Sequence, residues 1–188
     1  SRWAADSQQP GVQLLPDLSM TSVDTLAEQV RYIKRADDSA IASIHWGGNW
    51  DYSISRQQRD FAHGLIDRAG IDVIHGHSSH HVKGIEVYTE RPILYGCGDL
   101  LSDYEGITGH EEFRGELGLM YFLSMEPTTG RLQRFEMMPT RLRKLRINRA
   151  SREEAQWLAE VLNREGRPLG SCAVLGEDLR LTLQWSAA

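Results

Sequence analysis

Four of the chain's seven histidines lie within seven positions, immediately after a short apolar run. Val73 and Ile74 lead into the sequence His-Gly-His-Ser-Ser-His-His at positions 75–81. Neutral imidazole is a common ligand for zinc, iron and similar ions, and a glycine at the end of a strand allows a sharp turn. The segment therefore predicts a metal or substrate site. Solvated loop histidines are the alternative.

A fifth histidine follows the same pattern upstream. The apolar run 40–44 ends at His45, which Trp46 and the glycine pair 47–48 follow. Ligands of open α/β sheets lie outside the carboxyl ends of the strands. Two such strands lying side by side would bring His45 close to His77 and His80.

The elements around the histidines have the order helix, strand, helix, strand. Thr21 or Ser22 is predicted to cap a helix that runs to about Arg35, and Ser55-x-x-Gln58 forms a capping-box pattern for a second helix that Gly70 ends. This order implies parallel neighbouring strands joined by a crossover helix. Both histidine-bearing strand ends would then face the same edge of the sheet.

Beyond Gly84 the pattern changes to antiparallel hairpins. Strand pairs are predicted at 85–88 with 93–97 and at 117–125 with 132–138, and a last helix follows Ser151-x-x-Glu154. A closing hairpin turns at 176–178. We therefore predict an α/β protein with a mixed sheet, folded as one domain over residues 1–188.

Composition excludes some classes of function. The net charge of -5 argues against nucleic acid as a partner. One basic run alternates with apolar residues and predicts one charged face of a strand: Arg141, Leu142, Arg143, Lys144, Leu145, Arg146, Ile147, Arg149.

The sequence indicates the cellular location only indirectly. Cys97 and Cys172 lack metal-type spacing and indicate a reducing compartment, and no apolar stretch is long enough to span a bilayer. We expect a cytoplasmic location. Association with the envelope stays open, because the polar start looks like the interior of a longer protein.

These residues together resemble the CapA family, named for poly-γ-glutamate capsule biosynthesis, which is similar to the calcineurin-like metallophosphoesterases. The resemblance covers roughly residues 40–125 and rests on these matches: Ser43-Ile44-His45-Trp46-Gly47, Gln57, Phe61-Ala62, Leu65-Ile66-Asp67, Asp72-Val73-Ile74, Gly76-His77-x-x-His80, Gly84-Ile85-Glu86, Arg91-Pro92-Ile93-Leu94-Tyr95.

The resemblance implies part of a metallophosphoesterase-like α/β sandwich, with parallel strands and crossover helices followed by antiparallel hairpins. Such proteins carry an Asn-His pair and an early Gly-Asp strand in an N-terminal half, and this chain has neither. The chain is therefore expected to be the C-terminal portion of a CapA-like domain. A missing N-terminal half or a second copy would cover its open sheet.

The resemblance also implies a divalent metal ion, either zinc, manganese or iron, with His45, His77 and His80 as its ligands. His81 is predicted to protonate a leaving group, and Asp99, after a Gly-Cys-Gly turn, to face the reaction. An exposed loop histidine and a surface carboxylate are the alternatives. His75, before the glycine, is predicted to be packed or to support a ligand from behind.

Five further residues are predicted to contact substrate. Trp46, with Trp50, would wall a cleft or else belong to the core, and Ser78 and Ser79 would bind an anion or merely turn the chain. Asn49 stands where many relatives carry an acidic residue and would orient a ligand. Glu86 would orient a histidine or lie at the surface.

Two functions of different class follow from the resemblance. The first is hydrolysis of a phosphoester or related bond in the synthesis of capsule or another cell-envelope polymer, with an anionic polymer or a phosphoester as substrate. The alternative is a non-catalytic accessory protein for a polyglutamate synthase. Asn49 slightly favours the alternative because an amide cannot act as a general base.

Overall fold

The computed structural model describes residues 3–102 and 107–186. Within them the helices are α1 (Met20–Ile33), α2 (Arg56–Ala69) and α3 (Arg152–Gly166), with short 3-10 helices at Glu111–Phe113 and Arg167–Leu169. The strands are β1 (Ile41–His45), β2 (Val73–His77), β3 (Ile85–Tyr88), β4 (Arg91–Leu94), β5 (Leu117–Met125), β6 (Leu132–Arg143), β7 (Arg146–Arg149), β8 (Ser171–Leu175) and β9 (Leu181–Trp185). None of the helices in the described ranges is long and apolar enough to cross a bilayer.

The first sheet has the strand order β1-β2-β4-β3. Strand β2 runs parallel to both β1 and β4, and β3 pairs with β4 in the antiparallel direction. The register places Ile41 beside Val73 and His45 beside His77. The predicted parallel pair and its shared carboxyl edge are therefore confirmed.

Helix α2 is the crossover between β1 and β2, and its ends follow from sequence. Ser55 accepts a hydrogen bond from the backbone N–H of Gln58, and the Gln58 side chain accepts one from the backbone N–H of Ser55. Gly70 ends the helix in the left-handed conformation, with φ at 66°, which costs a glycine little. Helix α1 begins slightly earlier than predicted, because Ser19 is its cap.

The second sheet is antiparallel and has the order β5-β6-β9-β8, with β7 paired to the outer part of β6. Strand β6 runs 12 residues and ends at Arg143. The basic run was predicted as one face of a strand. It forms the end of β6, a turn and the whole of β7.

Two apolar clusters fill the space between the layers of secondary structure. One cluster lies between the two sheets and α3, and includes Phe135, Met137 and Leu158. The other lies between the first sheet and the pair of helices α1 and α2, and includes Phe61 and Ile74. This arrangement confirms the predicted α/β class with a mixed sheet.

Candidate functional site

His45 and His77 meet at the carboxyl ends of β1 and β2. Their ring centroids lie 5.2 Å apart with the rings edge to face. The backbone N–H of Trp46 donates to the carbonyl oxygen of His77 over 2.9 Å, which continues the pairing one residue beyond β1. The sheet register therefore places two imidazoles at one point, as the sequence predicted.

His75 belongs to the same group, since residues two apart in a strand share a face. Its ring centroid is 5.6 Å from that of His77, and its Nδ1 lies 3.0 Å from the Ser43 hydroxyl. Burial lowers the pKa of His75. Burial is also the main cause that lowers the pKa of His77, and the nearby imidazoles of His45 and His75 lower it further. The His77 imidazole is therefore neutral near pH 7, which is the form that binds metal ions.

His80 lies in a neighbouring group with Asp99. Its Nδ1 is 2.8 Å from the Asp99 Oδ2, and its ring centroid is 5.0 Å from that of Trp50. A carboxylate at Nδ1 accepts the proton of that nitrogen, so in the neutral ring it is Nε2 that carries the lone pair. The structure thus brings Asp99 to the site beside a histidine that it orients.

The three predicted metal ligands are not assembled into one cluster. In the ranges 3–102 and 107–186, no three His, Cys, Asp or Glu side chains form a group able to hold a metal ion. His45 and His77 have the donor chemistry and the proximity for a shared ion. Ligation by His45, His77 and His80 stays a prediction.

Asn49 and Ser78 join the loops that follow β1 and β2. The Ser78 hydroxyl lies 3.2 Å from the Asn49 Oδ1 and 3.3 Å from the carbonyl oxygen of Gly47, and the backbone N–H of His80 donates to the carbonyl oxygen of Asn49 over 3.1 Å. Ser78 has φ at 132°, a value that non-glycine residues rarely adopt. Both side chains therefore fix the loops beside the histidines, and their predicted contact with substrate is untested.

Ser79 does not have the surface position that its predicted role requires. It is buried, and its hydroxyl donates to the carbonyl oxygen of His81 over 2.8 Å. The bond lies within the loop. The alternative that Ser79 turns the chain fits this geometry, whereas a direct contact with substrate does not.

Trp46 also lies in the core and not in a cleft wall. It is 7 % exposed, and its indole N–H donates to the carbonyl oxygen of Tyr95 over 3.0 Å. It stacks on the Tyr95 ring at 6.0 Å and meets Phe61 edge to face. The local sequence placed a tryptophan at the end of a strand, and the side chain packs against the helix layer behind it.

Glu86 is buried and binds three other side chains. The Tyr95 hydroxyl donates to its Oε2 over 2.6 Å, while Arg59 Nη2 and His63 Nε2 each lie 3.1 Å from its Oε1. These partners connect β3 with α2 and with Tyr95, the residue that follows β4. Glu86 therefore connects elements of the fold, and its burial does not support the surface alternative or a contact with substrate. The histidine that it contacts is His63 and not a candidate metal ligand, so His63 has a structural role that the sequence did not indicate.

His81 is enclosed and cannot reach a leaving group. It is 1 % exposed, its Nδ1 lies 3.1 Å from the carbonyl oxygen of Val82, and its ring packs 4.6 Å from Tyr52 and 4.5 Å from Phe113. Its Nε2 is buried without a hydrogen-bond partner in the part of the chain that the structure describes. The enclosure of the ring does not support the predicted role as a proton donor to a leaving group.

This burial makes stability depend on pH. Burial, more than any other cause, lowers the pKa of His81 from its ordinary value of 6.5, so the folded state binds fewer protons than the unfolded state as the pH falls below that value. Acidification therefore favours unfolding. We expect the free energy of unfolding to fall less between pH 7 and pH 5 in His81→Phe than in the unsubstituted chain. Urea denaturation at both pH values measures the free energy of unfolding. An equal fall between pH 7 and pH 5 in both proteins would contradict the prediction.

An open cleft lies beside His80 and Asp99. Its volume is about 330 Å³, and Trp50, His110 and Arg114 contribute to its lining. The rings of Trp50 and His110 stack with centroids 4.4 Å apart and planes inclined by 7°. Trp50 was one candidate for a cleft wall, whereas nothing in the sequence around His110 indicated that it would stack there from 60 residues away.

Comparisons with known proteins relate this chain to a family of capsule synthesis proteins. Residues 1–104 match the family described as "Bacterial capsule synthesis protein PGA_cap". The chain is 48% identical over 177 residues to a "Probable polyglutamine synthesis accessory protein" of Mycobacterium tuberculosis, covering 94% of this chain and 46% of that protein. It is 31% identical over 137 residues to the "PGA biosynthesis protein CapA" of Bacillus subtilis, covering 73% of this chain and 32% of that protein. The chain thus spans less than half the length of these curated relatives.

Proposed function

Because the chain belongs to the PGA_cap family of bacterial capsule synthesis proteins, we propose that it carries part of a metal-dependent phosphoesterase site used in the synthesis of capsule or another cell-envelope polymer. The substrate would be a phosphoester or an anionic polymer intermediate. The single observation that carries the proposal is the pairing of His45 with His77, at 5.2 Å between ring centroids, on the carboxyl edge of a parallel strand pair.

His45 and His77 would hold the ion, with His80 as a third candidate. A divalent ion bound there would supply Lewis-acid chemistry, which polarises a phosphoryl oxygen and activates water. Burial keeps the His77 imidazole neutral, so it offers a lone pair without first losing a proton. Asp99 would hold His80 in one tautomer through the 2.8 Å contact, and Asn49 and Ser78 would keep the two loops together.

The substrate would enter the 330 Å³ cleft beside His80. Trp50 and His110 form a stacked aromatic wall there, and Asp99 and Glu111 place carboxylate oxygens around the opening. Arg114 is paired with Glu116 and Glu154, at 3.2 and 3.7 Å, so its charge is largely compensated. The cleft therefore suits a neutral, hydroxyl-bearing part of a substrate better than a run of carboxylates.

Two observations favour the second function, an accessory protein for a polyglutamate synthase. The described ranges contain no complete group of three metal-binding side chains, and the relative at 48% identity is named an accessory protein. In this role the histidine edge and the cleft would bind a partner or product without turnover. The synthase would supply the bond-forming chemistry.

Metal binding by the purified chain tests the proposal. We expect zinc or manganese to bind in isothermal titration, and we expect His77→Ala to weaken that binding at least tenfold because one of two adjacent donors is lost. His110→Ala removes an imidazole from the neighbouring cleft and should leave binding unchanged. Elemental analysis of the same proteins gives the stoichiometry.

The two functions give opposite results in this experiment. Loss of the ion in His77→Ala and its retention in His110→Ala would support the hydrolase. An unsubstituted chain that binds neither ion would overturn it and leave the accessory function. Equal loss in both variants would place the ligands elsewhere and contradict the assignment to His45 and His77.

A further inference from the structure

The hairpin formed by the end of β6, its turn and β7 concentrates positive charge on a chain whose net charge is -5. In its register Arg143 lies directly opposite Arg146, and Thr140 lies opposite Arg149. Every residue from 143 to 149 is exposed. We call residues 143–149 the basic hairpin.

The three arginines of the basic hairpin have no compensating carboxylate in the part of the chain that the structure describes. Arg141, just before it, contacts Glu154 at 2.5 Å. By contrast, no carboxylate in the described ranges forms an ion pair with Arg143, Arg146 or Arg149. Like charges placed directly opposite across two strands destabilise the pair. An external anion would relieve the repulsion between Arg143 and Arg146.

The tip of the basic hairpin also exposes apolar side chains. Leu145, in the turn, is 59% exposed, and Ile147, in β7, is 40% exposed. Lys144 and Leu145 both have φ at 54°, in the left-handed region that residues with a side chain rarely adopt. This turn conformation is unfavourable for leucine, yet it places the side chain outward, away from the core beneath β6.

We propose that the basic hairpin docks on an anionic membrane surface. Arg143, Arg146 and Arg149 would pair with lipid phosphates, and Leu145 with Ile147 would enter the boundary between headgroups and acyl chains. A soluble polyanion could compensate the arginines, but it would leave both apolar side chains in water. The combination of uncompensated arginines with an outward leucine therefore favours lipid over an anionic polymer.

Co-sedimentation of the full chain with lipid vesicles tests the proposal. We expect binding to vesicles of phosphatidylglycerol and phosphatidylcholine that falls with added salt, and little binding to phosphatidylcholine alone. The double variant Arg143→Gln/Arg146→Gln should bind about 30-fold more weakly, since each cation near such a surface contributes roughly a factor of five. Leu145→Ser, with its charge unchanged, should bind about tenfold more weakly.

A matched control distinguishes the effect of charge on the basic hairpin from the effect of the overall charge of the chain. Arg31→Gln/Arg35→Gln removes the same charge from exposed positions at the end of α1 and just beyond it, and should bind like the unsubstituted chain. Equal weakening by this control would overturn the proposal, because any cation would then serve. Binding to soluble polyglutamate that Arg143→Gln/Arg146→Gln abolishes and Leu145→Ser spares, without binding to anionic vesicles, would also overturn it and assign the hairpin to polymer.

Discussion

Glu86→Ala is expected to lower the free energy of unfolding by about 2–4 kcal/mol, because a buried hydroxyl loses its acceptor and Arg59, whose side chain is 38% exposed, regains some hydration. The Tyr95 hydroxyl would lose its acceptor at 2.6 Å in a residue that is 2% exposed, and Arg59 would lose its carboxylate at 3.1 Å. Burial, and then Glu86, raise the pKa of Tyr95, so its hydroxyl stays protonated and would remain as an unsatisfied donor. Urea denaturation measures the loss.

Two variants control this prediction. Glu86→Gln keeps the shape and one acceptor oxygen, so we expect a smaller loss than in Glu86→Ala. Asp24→Ala removes the exposed carboxylate that Arg68 contacts at 2.8 Å, and should cost less than about 1 kcal/mol. A Glu86→Ala protein as stable as Asp24→Ala would contradict the structural role, as would a loss of metal binding in folded Glu86→Ala, which would return Glu86 to the site.

The elements of the fold that sequence predicted correctly are those with local causes. The helix from Arg56 to Ala69 begins at a capping box and ends at a glycine, and both devices lie within a few residues of the helix end that they determine. The parallel pairing of β1 with β2 follows from that helix, since a crossover forces both strands into one direction. The meeting of His45 and His77 was predictable for the same reason.

The positions that sequence left open or did not anticipate depend on packing between distant segments. Trp46, Ser79 and His81 all lie close in sequence to the ligand candidates, yet each is buried against residues that local pattern does not specify. Alternation along a strand determines which face a side chain takes, but the loop after His77 has no such period. Sequence therefore placed His45 and His77 at the correct edge of the sheet and could not say which loop residues face outward.

Glu86 and His110 make contacts with distant residues that the sequence also could not predict. Glu86 follows an apolar residue in a short strand, and its partners at 59, 63 and 95 come from two other elements. His110 reaches Trp50 through a long connection between the two sheets. Contacts of this kind require the complete arrangement of the layers, because no residue spacing encodes them.

Asp72, at the start of β2, is the other position where we expect a large loss of stability. Its Oδ2 lies 2.6 Å from Lys34 Nζ and accepts from the backbone N–H of Ala40 over 2.9 Å, and its Oδ1 lies 3.3 Å from Arg91 Nε. Arg91 also donates to the carbonyl oxygen of Thr129 in the turn between β5 and β6. One buried carboxylate thus connects the end of α1, the first sheet and the second sheet.

Asp72→Ala is therefore expected to lower the free energy of unfolding by about 2–4 kcal/mol, and the melting temperature by roughly 10 °C. The loss is smaller than for a fully enclosed pair, because Lys34 and Arg91 are 24% and 19% exposed and regain some hydration. Calorimetry of Asp72→Ala beside Asp24→Ala measures the difference, and equal melting temperatures would contradict it. Because Asp72 fixes the start of β1 against β2 while His45 and His77 lie at the other end of both strands, folded Asp72→Ala should retain the histidine pair and its metal binding.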